Sequence, residues 1–129
     1  MALSDHIGKI KKLTVVRTSP FGYFLSDGQE DVLLHLKETD QELAEGNDVD
    51  VFLYTDSQGR IAATTFLPEI TVGKYGWAAV SDVNPKLGVF VNIGINKDIL
   101  IGEDDLPAKK SVWPKKGDLL CITLRTSRN

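Results

Sequence analysis

A block of this sequence occurs twice. Phe21-Gly22-Tyr23-Phe24-Leu25 followed by Asp31-Val32-Leu33-Leu34 returns as Leu87-Gly88-Val89-Phe90-Val91 followed by Asp98-Ile99-Leu100-Ile101. The stretch Gly46-Asn47-Asp48-Val49-Asp50-Val51 then corresponds to Lys116-Gly117-Asp118-Leu119-Leu120-Cys121. A repeat of this kind means that one small fold is built twice, each copy from half of the 129 residues. Any architecture that needs one large continuous core is thereby excluded.

Within the first copy the hydrophobic pattern is that of short strands. Leu13–Thr18, Phe21–Leu25, Asp31–Leu36, Asp48–Tyr54 and Arg60–Phe66 are rich in β-branched and aromatic residues. Ser19-Pro20, Asp27-Gly28 and Ser57-Gln58-Gly59 divide them with residues suited to tight reversals. Between the third and fourth runs, Thr39–Glu45 carries a capping residue and helix formers and is closed by Gly46, which predicts one or two helical turns. Three strands, a short helix and two strands in so small a unit describe a five-stranded OB-type barrel, whose closure removes exposed sheet edges. The expected fold is therefore all-β: two tandem OB-type barrels, residues 1–66 and 67–129, divided near Pro68-Glu69. The second copy ends before any counterpart of Arg60–Phe66, so it is expected to lack its fifth strand and the chain to be a piece of a longer protein.

The charge is unevenly spread. Residues 1–66 hold six basic and eleven acidic residues, net −5, while residues 67–129 hold nine and seven, net +2. Bulk electrostatic binding of duplex DNA is thus disfavoured, and a grip on a polyanion is expected mainly in the second half, where Lys97, Lys109, Lys110, Lys115 and Lys116 lie. No apolar run of membrane-spanning length and no signal-peptide core occurs, which predicts a cytoplasmic protein without a membrane partner. The single cysteine, Cys121, reads as core filler, and Trp77 and Trp113 read as packing residues of the second barrel. No nucleophile, paired carboxylates, phosphate-cradling glycine loop or metal-ligand spacing is present, so neither an enzyme, a cofactor nor a metal is expected.

Residues 10–64 resemble the RNA-binding domain first recognised in ribosomal protein S-one, an OB-type barrel. That family carries an aromatic before the glycine of the second strand, another three positions on, a histidine ending the third strand, and an Asp-x-x-x-Arg pair across the last hairpin. Phe21, Phe24, His35, Asp56 and Arg60 occupy these positions. The strings VFLYTDSQGRIAAT and GVFVNIGINKDILI resemble the conserved virulence factor B family of bacteria, which joins several such barrels ahead of a winged-helix domain. The resemblance implies an N-terminal fragment whose partners are single-stranded RNA and further C-terminal domains, acting in post-transcriptional regulation. In the second copy Phe90 is kept, but Leu87 replaces the first aromatic, Gly102 the histidine and Thr126 the aspartate.

The same residues make chemical sense for single-stranded nucleic acid, RNA or DNA. Aromatic rings on a barrel wall stack on any base, which requires no sequence. Strict alternation puts Phe21 and Phe24 on opposite faces, so both can meet one ligand only if Gly22 permits a bulge; otherwise one of them, Phe24 in the first instance, fills the core. His35 is either a strand-end structural residue or a ring that stacks or donates to phosphate. Arg60 either binds phosphate or a base, oriented by Asp56, or forms a surface ion pair with it. The proposed RNA-binding set is Phe21, Phe24, His35, Asp56, Arg60 and Lys97. The rival function is a protein-docking scaffold with little nucleic-acid affinity, favoured by the acidic first half.

Overall fold

The computed structural model describes residues 3–56 and 58–125. Five strands form the first unit: β1 (Ile10–Ser19), β2 (Gly22–Ser26), β3 (Asp31–His35), β4 (Asp48–Thr55) and β5 (Ile61–Thr64). They close into a barrel in the order β1-β2-β3-β5-β4. All pairings are antiparallel except β3 with β5, where Leu34 faces Ala63 in parallel. Alternation turns Leu13, Val15, Leu25, Val32, Leu34 and Leu53 inward, and Leu3, from a short N-terminal 3-10 turn, joins the same core. Each fully buried leucine contributes about 1.5–3 kcal/mol of transfer free energy.

The second unit has four strands among the described residues: β6 (Gly76–Asn84), β7 (Gly88–Asn92), β8 (Ile99–Gly102) and β9 (Leu119–Ile122), in the order β8-β7-β6-β9. Among the described residues, this is the sheet of the first barrel without a counterpart of β5. Where β5 lies between β3 and β4, nothing among the described residues lies between β8 and β9. Thr126, expected in place of the aspartate, lies outside the described residues, as does Ser57 of the predicted turn.

The two units share an apolar seam. Phe52, which faces outward from β4, is buried in one cluster with Ile70, Ala78, Val80 and Val91. Polar contacts cross beside it: the Asn96 amide donates to Glu38 Oε1 at 2.7 Å, and Lys97 Nζ donates to the Thr55 carbonyl. Among the described residues no helix is long and apolar enough to cross a membrane.

Four sequence expectations require correction. The predicted helix over Thr39–Glu45 is irregular, and the 3-10 turn lies just before it, at Leu36–Glu38. Local side chains take the backbone donors that a helix would have used: Thr39 Oγ1 accepts from Gln41, Asn47 Oδ1 from Ala44, and the Tyr23 hydroxyl from Leu43. The third repeat match is one residue out of register. Gly46 and Gly117 donate to Val15 O and Val80 O, and the Ala44 and Lys115 amides both donate to the side chain three residues on, Asn47 or Asp118. Gly46 therefore corresponds to Gly117, and Asp48 to Leu119. Cys121 is exposed rather than core, because that register sets it opposite Trp77 on the outer face. Trp77 is itself 71% exposed, whereas Trp113 is buried with its indole N–H on the Pro107 carbonyl at 2.7 Å.

Candidate nucleic-acid interface

The register of β1, β2 and β3 sets three rows across the outer wall of the first barrel. Ser19, Gly22 and His35 form one row, Arg17, Phe24 and Leu33 the next, and Thr14, Ser26 and Asp31 the third. Phe24 is therefore not core filler. Its strand neighbours Tyr23 and Leu25 turn inward, while its own ring is half-buried on the wall. Arg17 covers that ring, with its guanidinium carbon 4.1 Å from the ring centre.

Arg17 is the residue that the sequence reasoning missed. Strict alternation from Leu13 and Val15 would turn position 17 into the core. The β1 register instead shifts between Val15 and Arg17, so Val16 is an extra residue that reverses the phase of the strand. The bulge sits there and not at Gly22, which stays paired with both Ser19 and His35. Gly22 is needed for another reason: a Cβ there would stand 2.2 Å from the Leu34 carbonyl oxygen.

Phe21 precedes β2 in the turn, where alternation does not bind it, and is 67% exposed. Its carbonyl accepts from the Leu36 N–H at 3.0 Å, tying the turn to the end of β3. His35 is exposed at that end, and its Nδ1 accepts from the Lys37 N–H at 3.3 Å, capping the 3-10 turn. An acceptor at Nδ1 leaves the proton on Nε2, available to a ligand.

Asp56 and Arg60 bracket the β4–β5 hairpin. Asp56 Oδ1 accepts from the Gln58 and Arg60 amides at 2.9 Å each, and Oδ2 accepts from Arg60 Nε at 3.0 Å. These donors, the Arg60 backbone N–H first, hold the Asp56 carboxyl below the ordinary aspartate value. Arg60 keeps most of its side chain exposed. Because β5 runs parallel to β3, this hairpin lies at the Asp31 end of β3 and His35 at the other, about 13 Å away at the usual rise per residue. Lys97, from the second unit, reaches the same hairpin through Thr55. Nearby, burial and then the Glu38 carboxylate push the Tyr54 phenol pKa up, which keeps it protonated.

The second unit repeats the frame without the chemistry. Asp82 stands opposite Phe90 where Arg17 stands opposite Phe24, and Gly102 stands opposite Gly88 where His35 stands opposite Gly22. Its β6 even carries the same bulge, between Val80 and Asp82.

Residues 7–66 match the S1 domain family, and residues 75–129 match the family described as the CvfB first S1-like domain. Conserved virulence factor B of Staphylococcus aureus is 36% identical over 99% of this chain. The chain belongs to the conserved virulence factor B family. Another relative, the uncharacterized protein YitL of Bacillus subtilis, is 41% identical over 94% of the chain. The chain spans 44% of the length of the first relative and 41% of the second. A crystal structure of a multidomain protein with nucleic acid binding domains from Streptococcus pneumoniae superposes with a TM-score of 0.83 at 30% identity, covering 96% of this chain and 43% of that one. Within the conserved virulence factor B family, then, the two units described above are successive S-one-type domains.

Proposed function

We propose that this chain binds single-stranded RNA along the outer wall of β1, β2 and β3, with residues 1–66 as the ligand-bearing unit and residues 67–129 as its partner. The observation that carries this reading is the Arg17–Phe24 pair: the exposed arginine that covers the ring can swing to a phosphate and leave the ring face to one base. A strand laid along the face passes from Phe21 and His35 over Phe24 towards Arg60, and these groups discriminate little between bases. The relatives support the reading, since the Streptococcus pneumoniae structure is described as having nucleic acid binding domains. RNA is preferred to DNA in this proposal because the free Nε2 donor of His35 suits a 2′-hydroxyl.

The test is fluorescence anisotropy with a labelled oligouridylate and its deoxy counterpart. Phe24→Leu is expected to keep the circular dichroism spectrum and weaken RNA binding by about 1–2 kcal/mol, whereas Phe90→Leu has little effect. Equal losses from the two substitutions, or none from either, refute the assignment. A scaffold role has one observation in its favour, the exposed apolar strip of Trp77 and Leu119 on β6 and β9. Absence of any RNA binding by the unmodified chain would favour that role.

A further inference from the structure

We infer a second anion site, in a groove of the second unit, that takes the phosphodiester groups of a bound strand. The groove lies between the end of β6 and the connection leading into β9, and Asp82, Lys110, Trp113, Lys115 and Lys116 line it. At about 410 Å³ it accommodates a phosphate and its sugar.

The repeat makes the charge of this groove significant. The equivalent groove of the first unit lies between the end of β1 and the connection into β4, lined by Thr18, Tyr23, Glu42 and Leu43 among others, with no Lys or Arg. The same turn builds both, since the Ala44 and Lys115 amides make the same bond to Asn47 and Asp118. Lys115 and Lys116 therefore stand where the first unit has Ala44 and Glu45. The two units have exchanged charge: the first carries a base, Arg17, on its wall and an acid, Glu42, in its groove, while the second carries Asp82 at the wall position and three lysines in its groove.

All three lysines are on exposed residues. The Lys110 ammonium lies 5.9 Å from the centre of the Trp113 ring and 3.9 Å from Glu103, too far for a tight pair with that carboxylate. The buried indole, fixed by its bond to Pro107, forms a rigid wall. Asp82 is the one acid lining the groove and Glu103 stands beside Lys110, so three bases face two acids and the balance still favours an anion. That the anion belongs to RNA rests on the function proposed above; that the groove binds phosphate does not.

The experiment separates these claims. The ¹⁵N-labelled chain is titrated with inorganic tripolyphosphate, and oligouridylate binding is measured over a range of salt. Tripolyphosphate is expected to shift the Lys115 and Lys116 amides and the Trp113 indole N–H, and the triple substitution K110Q/K115Q/K116Q is expected to abolish these shifts. All three side chains are on exposed residues, so the variant should keep a dispersed spectrum. The same variant should weaken oligouridylate binding at least threefold and make the log–log salt slope shallower by about 0.7 for each phosphate that is no longer neutralised. Phe24→Leu should lower affinity and leave the slope unchanged. Asp82→Asn, which removes the opposing charge, should strengthen tripolyphosphate binding. The absence of shifts at the groove overturns the site, and an unchanged salt slope in the lysine variant of an RNA-binding chain overturns its occupation by a bound strand. Groove shifts with tripolyphosphate in a chain that binds no oligouridylate would support the groove and refute the RNA reading.

Discussion

Arg17 and Phe24 are cross-strand partners on adjacent strands, and the guanidinium carbon lies 4.1 Å from the ring centre. The same frame in the second unit opposes Asp82 to Phe90, so one barrel places a cation above its aromatic and the other an anion opposite its own. The first prediction follows from this difference. Arg17→Ala should weaken RNA binding by about 0.5–2 kcal/mol, and Arg17→Asp, which copies the second unit, should weaken it further. Both changes are at an exposed residue and should leave the thermal midpoint nearly unchanged. Anisotropy titrations at one fixed salt concentration check the order.

Gly22→Ala should destabilise the first barrel by about 1–3 kcal/mol, because the new methyl group meets the backbone oxygen of Leu34 and backbone cannot swing aside as a side chain does. At Gly28 a methyl group would meet nothing within 4 Å, yet the positive φ of 99° would still strain it. Gly28→Ala should therefore cost less than Gly22→Ala but not nothing. The urea midpoints of the two variants decide the order.

Asp56 contributes to its hairpin only as a carboxylate. Its folded pKa lies below the ordinary value of 3.8, so the contribution is complete above the unfolded pKa of about 3.9 and is lost as pH falls through the folded value. The Gln58 and Arg60 amide shifts should therefore hold steady from neutral pH to about pH 5 and move only below about pH 4. Arg60→Ala should raise the Asp56 midpoint only part of the way, because the backbone donors, the largest cause of the shift, remain.

Amide exchange should be faster in β8 and β9 than in β3 and β4. The latter pair lies on either side of β5, while β8 and β9 each have one neighbour among the described strands. Protection in Ile99–Gly102 and Leu119–Ile122 equal to that of Asp31–His35 in the monomer would show that another segment closes the gap.

The sequence by itself determined the repeat, the strand content and the resemblance that named the family, because these depend on alternation and on turn residues whose preferences are local. The same resemblance singled out Phe21, Phe24, His35, Asp56 and Arg60 as candidates, each at a fixed offset from a glycine, a strand end or a hairpin. Only the tertiary structure decided the phase of β1. One extra residue at Val16 moves Arg17 from the core side to the wall, and a bulge has no signature in a run of β-branched residues. Pairing also decided the register of β9, where Asp48 and Asp118 invite a match that the bonds of Gly46 and Gly117 contradict. That shift of one residue sends every side chain of the strand to the opposite face, which is why Cys121 lies beside Trp77 on the surface and not in the core.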